Sequence, residues 1–196
     1  MKLARARELL FSRAAPSELW VRHSLVVCRV ARTIGARLPR YLDLDRELLA
    51  SAALLHDIGR CRTHGVWHPW EGWRLLREVA GVEVARPALT HWRKGRRLRR
   101  FLATAPDLDR ARVLEIYRLV PPRPQTLVDL AVSVADGMVA HDRVVPMARR
   151  YQDLRERYGH SPWLVDSQRI SRGQLGRLSR LAGLDLEGAI LLESAS

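Results

Sequence analysis

The sequence predicts an all-α fold. Apolar residues recur at helical spacing over almost all of the 196 residues, and no stretch shows the alternation or the Asn-Gly turn that is typical of a β-hairpin. The hydrophobic content of 47% is enough to build a core, because a chain of this size buries about 70% of the surface that it exposes when unfolded. No internal repeat or low-complexity linker interrupts the pattern, so we expect a single helical domain over residues 1–196.

Two helices are predicted in the first third of the chain. The first runs from Ser17, its N-cap, to about Leu38, and its apolar stripe includes a histidine, His23. The second starts near residues 43–45 and ends at His56-Asp57-Ile58-Gly59, where the glycine is the candidate C′ residue that closes the helix. His23 is therefore expected on a buried face, and the His-Asp pair at a helix end.

Further helices are predicted along the rest of the chain. One opens at His68-Pro69-Trp70-Glu71-Gly72, because proline and glutamate both favour a first helical turn. Another covers Val82 to Trp92, and helical spacing continues through residues 98–120 up to a run of prolines. Thr126 to His141 is apolar around most of its circumference and is expected to be central, and two or three amphipathic helices follow from about residue 143.

The charge and the cysteines limit the function classes. The chain has 34 Lys+Arg against 21 Asp+Glu, a net charge of +13, which favours anionic partners although almost all the basic residues are arginines. No apolar run reaches the roughly 18 residues that a membrane span needs, so no membrane partner is expected. Cys28 and Cys61 form no zinc or CxxC pattern, which is typical of a reducing compartment and predicts a cytoplasmic protein.

Histidines and aspartates occupy positions where an ordinary helical protein has apolar residues. Imidazole and carboxylate together make a mixed nitrogen and oxygen ligand set, which suits Mn, Fe, Co, Ni or Mg better than a cysteine-rich structural zinc site. Asp129, His141 and His160 are interpreted instead as salt-bridged, surface or capping residues. The candidate ligands are His23, His56, Asp57, His91 and Asp136, with His68 at a helix start.

The order of these residues resembles the HD-domain superfamily of metal-dependent phosphohydrolases, whose defining pattern is H…HD…D. His23, the segment Leu54 to Arg60 and Asp136 carry the resemblance, which covers a motif core of about 17–158; residues 159–196 would form a C-terminal helical cap. The resemblance implies that His23, His56, Asp57 and Asp136 bind a first metal ion, and that His68 and His91 complete a site for two ions bridged by Asp57. His64 competes with His68 for that role, although His68-Pro69-x-x-Gly72 resembles the family pattern better.

The same resemblance limits the substrate. Arg60 stands where the family usually has a lysine and is taken with Asp57 as a catalytic residue. The residues after His91 lack the Gly-Tyr-Pro signature of the branch that acts on cyclic di-GMP, so that substrate is disfavoured. Four basic residues are candidates for phosphate contacts, and most of the basic run 93–100 is expected to be solvated. They are Arg22, Arg93, Lys94 and Arg96.

Together these features predict a phosphohydrolase that uses one or two divalent ions to cleave a phosphomonoester or phosphodiester bond of a nucleotide-type substrate. A non-catalytic, metal-containing module that binds nucleic acid or protein is the alternative, and a di-iron oxygenase with the same ligands is a third. The expected partner is a phosphorylated small molecule, while nucleic-acid binding and a homo-oligomer stay open.

Overall fold

The computed structural model describes residues 1–195. Over these residues the chain forms eleven α-helices and one short antiparallel hairpin, which confirms the all-α fold. The helices are α1 (Leu3–Phe11), α2 (Leu19–Arg37), α3 (Arg46–Leu55), α4 (His68–Val79), α5 (Val82–Arg93), α6 (Leu98–Thr104), α7 (Arg110–Leu119), α8 (Leu127–Gly137), α9 (Met147–Tyr158), α10 (Pro162–Ala182) and α11 (Leu186–Ala195). The hairpin pairs β1 (Val139–Ala140) with β2 (Arg143–Val144). No helix of the described part is both long enough and apolar enough to cross a membrane.

Helix α8 lies at the centre of the molecule, as its all-round apolar sequence predicts. It packs against α2, α3, α5 and α10, and nine of its eleven residues are buried. Thr126 and Asp129 begin it with a capping box, in which each side chain accepts from the backbone N–H of the other residue. The helix ends at Gly137, not at His141 as predicted, because the chain turns there into the hairpin, with His141 in a left-handed conformation (φ 56°).

The starts of the early helices are only partly as expected. Helix α3 begins after Asp45, whose carboxylate accepts from the backbone N–H of Leu48 at 2.8 Å. Ser17 is not the N-cap of α2: the helix begins at Leu19 after Glu18, whose carboxylate accepts instead from the indole of Trp20 at 2.7 Å. The prediction was wrong because it weighed only the residue type, and the chain takes one more turn before the helix starts.

Three helices form the C-terminal part. Ser161 caps α10 by accepting from the backbone N–H of Leu164, and Gly183 ends it in a left-handed conformation (φ 69°). Helix α10 lies against α8 and α9, and α11 packs on α2. This arrangement covers the side of α8 that carries Ser133 and Gly137, since the added Cβ of Gly137 would meet Ser171 of α10.

Candidate metal centre

The six side chains predicted as metal ligands converge on one place between α2, α3, α4, α5 and α8. They form two groups, and within each group the candidate ligand atoms lie within 4.8 Å of one another. The first group is His23, His56 and Asp136; the second is Asp57, His68 and His91. Each group combines two imidazoles with one carboxylate, so each could hold a divalent metal ion.

One carboxylate oxygen stands at the centre of each group. Oδ1 of Asp136 lies 3.3 Å from Nε2 of His23 and 3.9 Å from Nε2 of His56. Oδ1 of Asp57 lies 3.0 Å from Nε2 of His68 and 3.7 Å from Nε2 of His91. The same Asp57 oxygen is 3.8 Å from Nε2 of His56, so Asp57 joins the two groups.

Backbone carbonyls orient all four imidazoles. A carbonyl only accepts hydrogen bonds, so each Nδ1 carries a proton and Nε2 is the nitrogen that faces the carboxylates. Metal-ligating histidines are oriented in this way by a second hydrogen bond. The donors and acceptors are His23 to the His141 carbonyl (2.8 Å), His56 to Ala53 (2.8 Å), His68 to Gly65 (2.8 Å) and His91 to Pro87 (3.1 Å).

Burial keeps the two innermost imidazoles neutral. It lowers the pKa of His91 to about 3 and also lowers the pKa of His56. The Nε2 atom of His56 is buried and has no hydrogen-bond partner among the described residues. A buried lone pair without a donor is costly, and a cation bound between the two carboxylates would satisfy it. The donor set therefore fits a divalent metal ion.

Both carboxylates are ionised. Burial alone would raise the pKa of Asp57, but Arg60 and then His68 outweigh it and hold the pKa well below its usual value. Asp136 behaves in the same way, with the hydrogen bond from His23 as its largest favourable contact. The site thus offers two negative charges and four imidazole nitrogens, a ligand set that suits Mn, Fe, Co or Ni.

The turn that carries the His-Asp pair is held by close backbone packing. Helix α3 ends at Leu55, and a 3₁₀ turn, Ile58–Cys61, follows. A Cβ on Gly59 would lie 2.0 Å from the carbonyl oxygen of His68 and 2.4 Å from the backbone nitrogen of Gly72. Gly59 has no positive φ, so its predicted role as a left-handed C′ residue is wrong. It is a glycine because the first turn of α4 touches its backbone.

Arg60 contacts the second group, whereas Arg22 is only the chain neighbour of His23. Nε of Arg60 donates to Oδ2 of Asp57 at 2.6 Å, which leaves Oδ1 to face the imidazoles, and the Arg60 side chain is 28% exposed. Arg22 precedes His23 and is exposed, and its guanidinium bonds Asp142 at 2.9 Å and the Ser17 carbonyl. Only Arg60 therefore touches a candidate ligand directly.

Arg93 and Arg96 are held elsewhere, by partners inside the protein. Arg93 donates to the Val120 carbonyl at 2.6 Å. Arg96 is 2% exposed and bonds the Asp166 carboxylate at 2.8 Å and the Ser167 hydroxyl at 2.7 Å. The expectation that most of the run 93–100 is solvated therefore fails at residues 93, 94 and 96, which are all buried. The guanidinium groups of both arginines are therefore already bonded within the protein.

Several residues around the site were treated differently in the sequence interpretation. His64 is exposed and belongs to neither group, so the geometry favours His68 beside Asp57. Asp129 is buried in an ion pair with Arg86 at 2.8 Å, in agreement with its salt-bridged interpretation. His141 contributes its carbonyl to His23, a contact that no sequence pattern signals because 118 residues separate the two.

Fold and site together define a class: an all-helical protein with a buried centre of four histidines and two aspartates that could hold divalent metal ions. The family described as "HD domain" matches residues 20–140, more than half of the chain and all six candidate ligands. The chain belongs to the HD domain family. This confirms the family resemblance that the order of the motif predicts.

Two curated proteins are similar to this chain. A tRNA (cytidine(56)-2'-O)-methyltransferase of Picrophilus torridus is 27% identical over 173 residues, which cover 87% of this chain and 44% of that protein. An uncharacterized protein of Methanocaldococcus jannaschii is 41% identical over 64 residues, 32% of this chain and 38% of that protein. The chain spans less than half the length of either relative. No solved structure matches it significantly.

Proposed function

We propose that this protein is a metal-dependent phosphohydrolase that cleaves a phosphomonoester or phosphodiester bond of a nucleotide-type substrate. The observation that carries the proposal is the pair of His/Asp groups joined at Asp57, in which backbone carbonyls orient all four imidazoles so that Nε2 faces the carboxylates. Membership of the HD domain family supports a hydrolase.

The residues of the two groups would hold one or two ions. His23, His56 and Asp136 would hold the first and His68 and His91 the second, with Asp57 between them. A divalent ion bound there would supply Lewis-acid chemistry, by lowering the pKa of water and neutralising charge on phosphoryl oxygens. Mn, Fe, Co, Ni and Mg all suit a shell of nitrogen and carboxylate ligands.

Arg60 and Arg22 would bind the substrate. Arg60 keeps Asp57 ionised and oriented through one N–H, and its partly exposed guanidinium has further donors for a phosphoryl oxygen. Arg22 would meet the substrate from the side of His23. Asp57 would help to hold the ion that supplies this chemistry. The net charge of +13 raises the local concentration of anionic substrates, which favours a nucleotide.

One of the similar proteins also supports a nucleotide-type substrate. The relative from Picrophilus torridus is named for an activity on tRNA, so a protein similar to this chain meets nucleotide chemistry. More than half of that relative lies outside the match, so the methyl transfer in its name is not proposed for this chain. A module that binds nucleic acid without turnover is the competing function.

Elemental analysis of protein purified without chelator, followed by a nucleotide panel, tests the proposal. We expect between one and two transition-metal ions per chain, hydrolysis of at least one phosphate ester, and loss of both in Asp57→Ala. His64→Ala is the matched control, because it removes a nearby exposed imidazole and should change neither. The binding module would be established instead if metal-replete protein hydrolyses none of the substrates and binds nucleic acid. The affinity for nucleic acid should then fall steeply with salt and be unchanged in Asp57→Ala.

A further inference from the structure

A buried lysine lies close enough to the first group of ligands to interact with the charge of Asp136. Lys94 follows α5 in a left-handed conformation (φ 50°), and its backbone N–H donates to the Thr90 carbonyl at 2.7 Å. Gly95 is also left-handed (φ 75°), so the chain turns sharply and the lysine side chain points inward. Only 8% of Lys94 is exposed. It is one of two lysines in the chain, the other being Lys2 at the exposed N-terminal end.

Lys94 has one hydrogen-bond partner, and that partner is neutral. Nζ donates to Oγ of Ser133 at 3.0 Å, and Ser133 in turn donates to Oε1 of Gln174 at 2.8 Å. An ammonium carries three N–H donors, so two of them have no acceptor among residues 1–195. No carboxylate of the described residues forms an ion pair with it. A buried charge in this position is costly unless an anion pairs with it.

Ser133 connects this charge to α8, the helix that carries Asp136. Ser133 lies three residues before Asp136 on α8, so both side chains are on the same face of the helix. The charged groups that act on Lys94 are Asp136 of α8, Arg96 of the same turn and Arg150 of α9. Both arginines already bond carboxylates, Arg96 that of Asp166 and Arg150 that of Asp153.

Burial lowers the pKa of Lys94 to about 8, and the charge of Asp136 partly offsets the effect. The amine is therefore still mostly protonated at neutral pH. A nearby phosphate group would raise this pKa, since an opposite charge favours the ammonium form.

We propose that Lys94, which donates to Ser133 and through it is linked to Gln174, is an anion subsite for a terminal phosphate group bound beside Asp136. This subsite selects phosphomonoesters over phosphodiesters. The inference deepens the proposed function and rests on it. A monoester carries nearly two negative charges at pH 7 because its second pKa is about 6, whereas a diester carries one. A compact ammonium in a buried site interacts more strongly with the more highly charged group, since screening by water is weak there.

The lysine content of the chain allows a direct binding test. Protein labelled with isotopically enriched lysine and loaded with Mg²⁺ should give two side-chain NMR signals, and Lys2→Arg removes one of them and so assigns both. We expect added inorganic phosphate to shift the Lys94 signal and raise its titration midpoint from about 8, while the Lys2 signal stays in place. Phosphate is added up to the concentration that saturates the binding measured by calorimetry. A Lys94 signal that does not move over this range overturns the subsite.

Kinetics of variants test the selectivity. Lys94→Met keeps the length of the side chain and removes the charge, and Lys2→Met is the matched control. We expect Lys94→Met to keep its metal content and lose about 100-fold in kcat/KM on p-nitrophenyl phosphate, the size of effect seen when one donor to a reacting oxyanion is removed. The loss on bis(p-nitrophenyl) phosphate should be severalfold smaller, and Lys94→Arg should recover part of the monoester activity. Equal losses on both esters would overturn the selectivity.

The two arms separate this inference from the proposed function. Protein that hydrolyses no ester but shows the phosphate-dependent shift of Lys94 would keep the anion subsite and lose the phosphohydrolase. If the protein hydrolyses nucleotides while phosphate leaves the Lys94 signal unchanged, the phosphohydrolase is supported and the subsite is refuted. The NMR arm uses Lys94 itself, so it decides the question even if Lys94→Met does not fold.

Discussion

Replacing Gly59 by alanine should damage the stability and the metal centre together. The new Cβ would stand 2.0 Å from the His68 carbonyl oxygen and 2.4 Å from the Gly72 nitrogen, whereas ordinary contacts begin at 3.4 Å. Both obstacles are backbone atoms of the first turn of α4, so relief requires the turn to move by more than 1 Å. Overpacking costs about 1–3 kcal/mol and occasionally more, and we expect Gly59→Ala to reach the upper end at about 3 kcal/mol.

Urea unfolding and thermal unfolding measure this cost. For a chain of this size about 3 kcal/mol corresponds to a fall in Tm of roughly 6–12 °C. Gly173→Ala is the control, because that glycine lies within α10, a Cβ there would meet nothing within 4 Å, and alanine should stabilise the helix by about 0.5–1 kcal/mol. Displacement of α4 also carries His68 away from Asp57, so metal content should fall. A Gly59→Ala protein as stable as the wild type would refute the packing argument.

Three further predictions concern acid, ion pairs and metal. The pKa of His91 is about 3 in the folded protein and near 6.5 in the unfolded chain, so the unfolded chain binds more protons between these values. Metal-free protein should therefore be fully stable above about pH 6.5 and lose stability as the pH falls towards 3. Urea unfolding at pH 7.5 and at pH 5 would measure this loss. Asp129→Ala should cost about 3 kcal/mol in chemical denaturation, because it removes a buried carboxylate that pairs with Arg86 and accepts from Thr90 and from the backbone N–H that starts α8. Asp142→Ala breaks only an exposed ion pair and should change the stability little. A divalent ion at 100 times its Kd should stabilise the protein by about 2.7 kcal/mol in thermal shift, and Asp57→Ala should abolish this gain.

The sequence was sufficient for the candidate ligands because each stands out locally. His23 interrupts an apolar helical stripe, and Asp136 lies in a helix that is mostly apolar, where an unpaired carboxylate would be costly. The capped start of α8 at Thr126 could likewise be predicted, since a capping box involves residues within a span of four. Features of this kind depend on residue type and spacing alone.

The features that were missed depend on distant partners. Arg96 is buried because Asp166 and Ser167, about 70 residues further on, bond its guanidinium, and a basic run by itself gives no sign of them. The hairpin β1–β2 has only two residues per strand, too few for an alternating pattern to be recognised. Gly59 was assigned to the wrong cause, since local rules associate a glycine after a helix with positive φ, and here the approach of α4 requires it.

The orientation of the four imidazoles divides the centre into a local and a non-local part. His56, His68 and His91 each donate to a carbonyl three or four residues earlier, so the helix ends that carry them also orient them. His23 donates to the carbonyl of His141, whose left-handed conformation turns the hairpin towards α2. The group at Asp57 is therefore oriented within α3, α4 and α5, whereas the group at Asp136 is complete only once the hairpin has closed over His23.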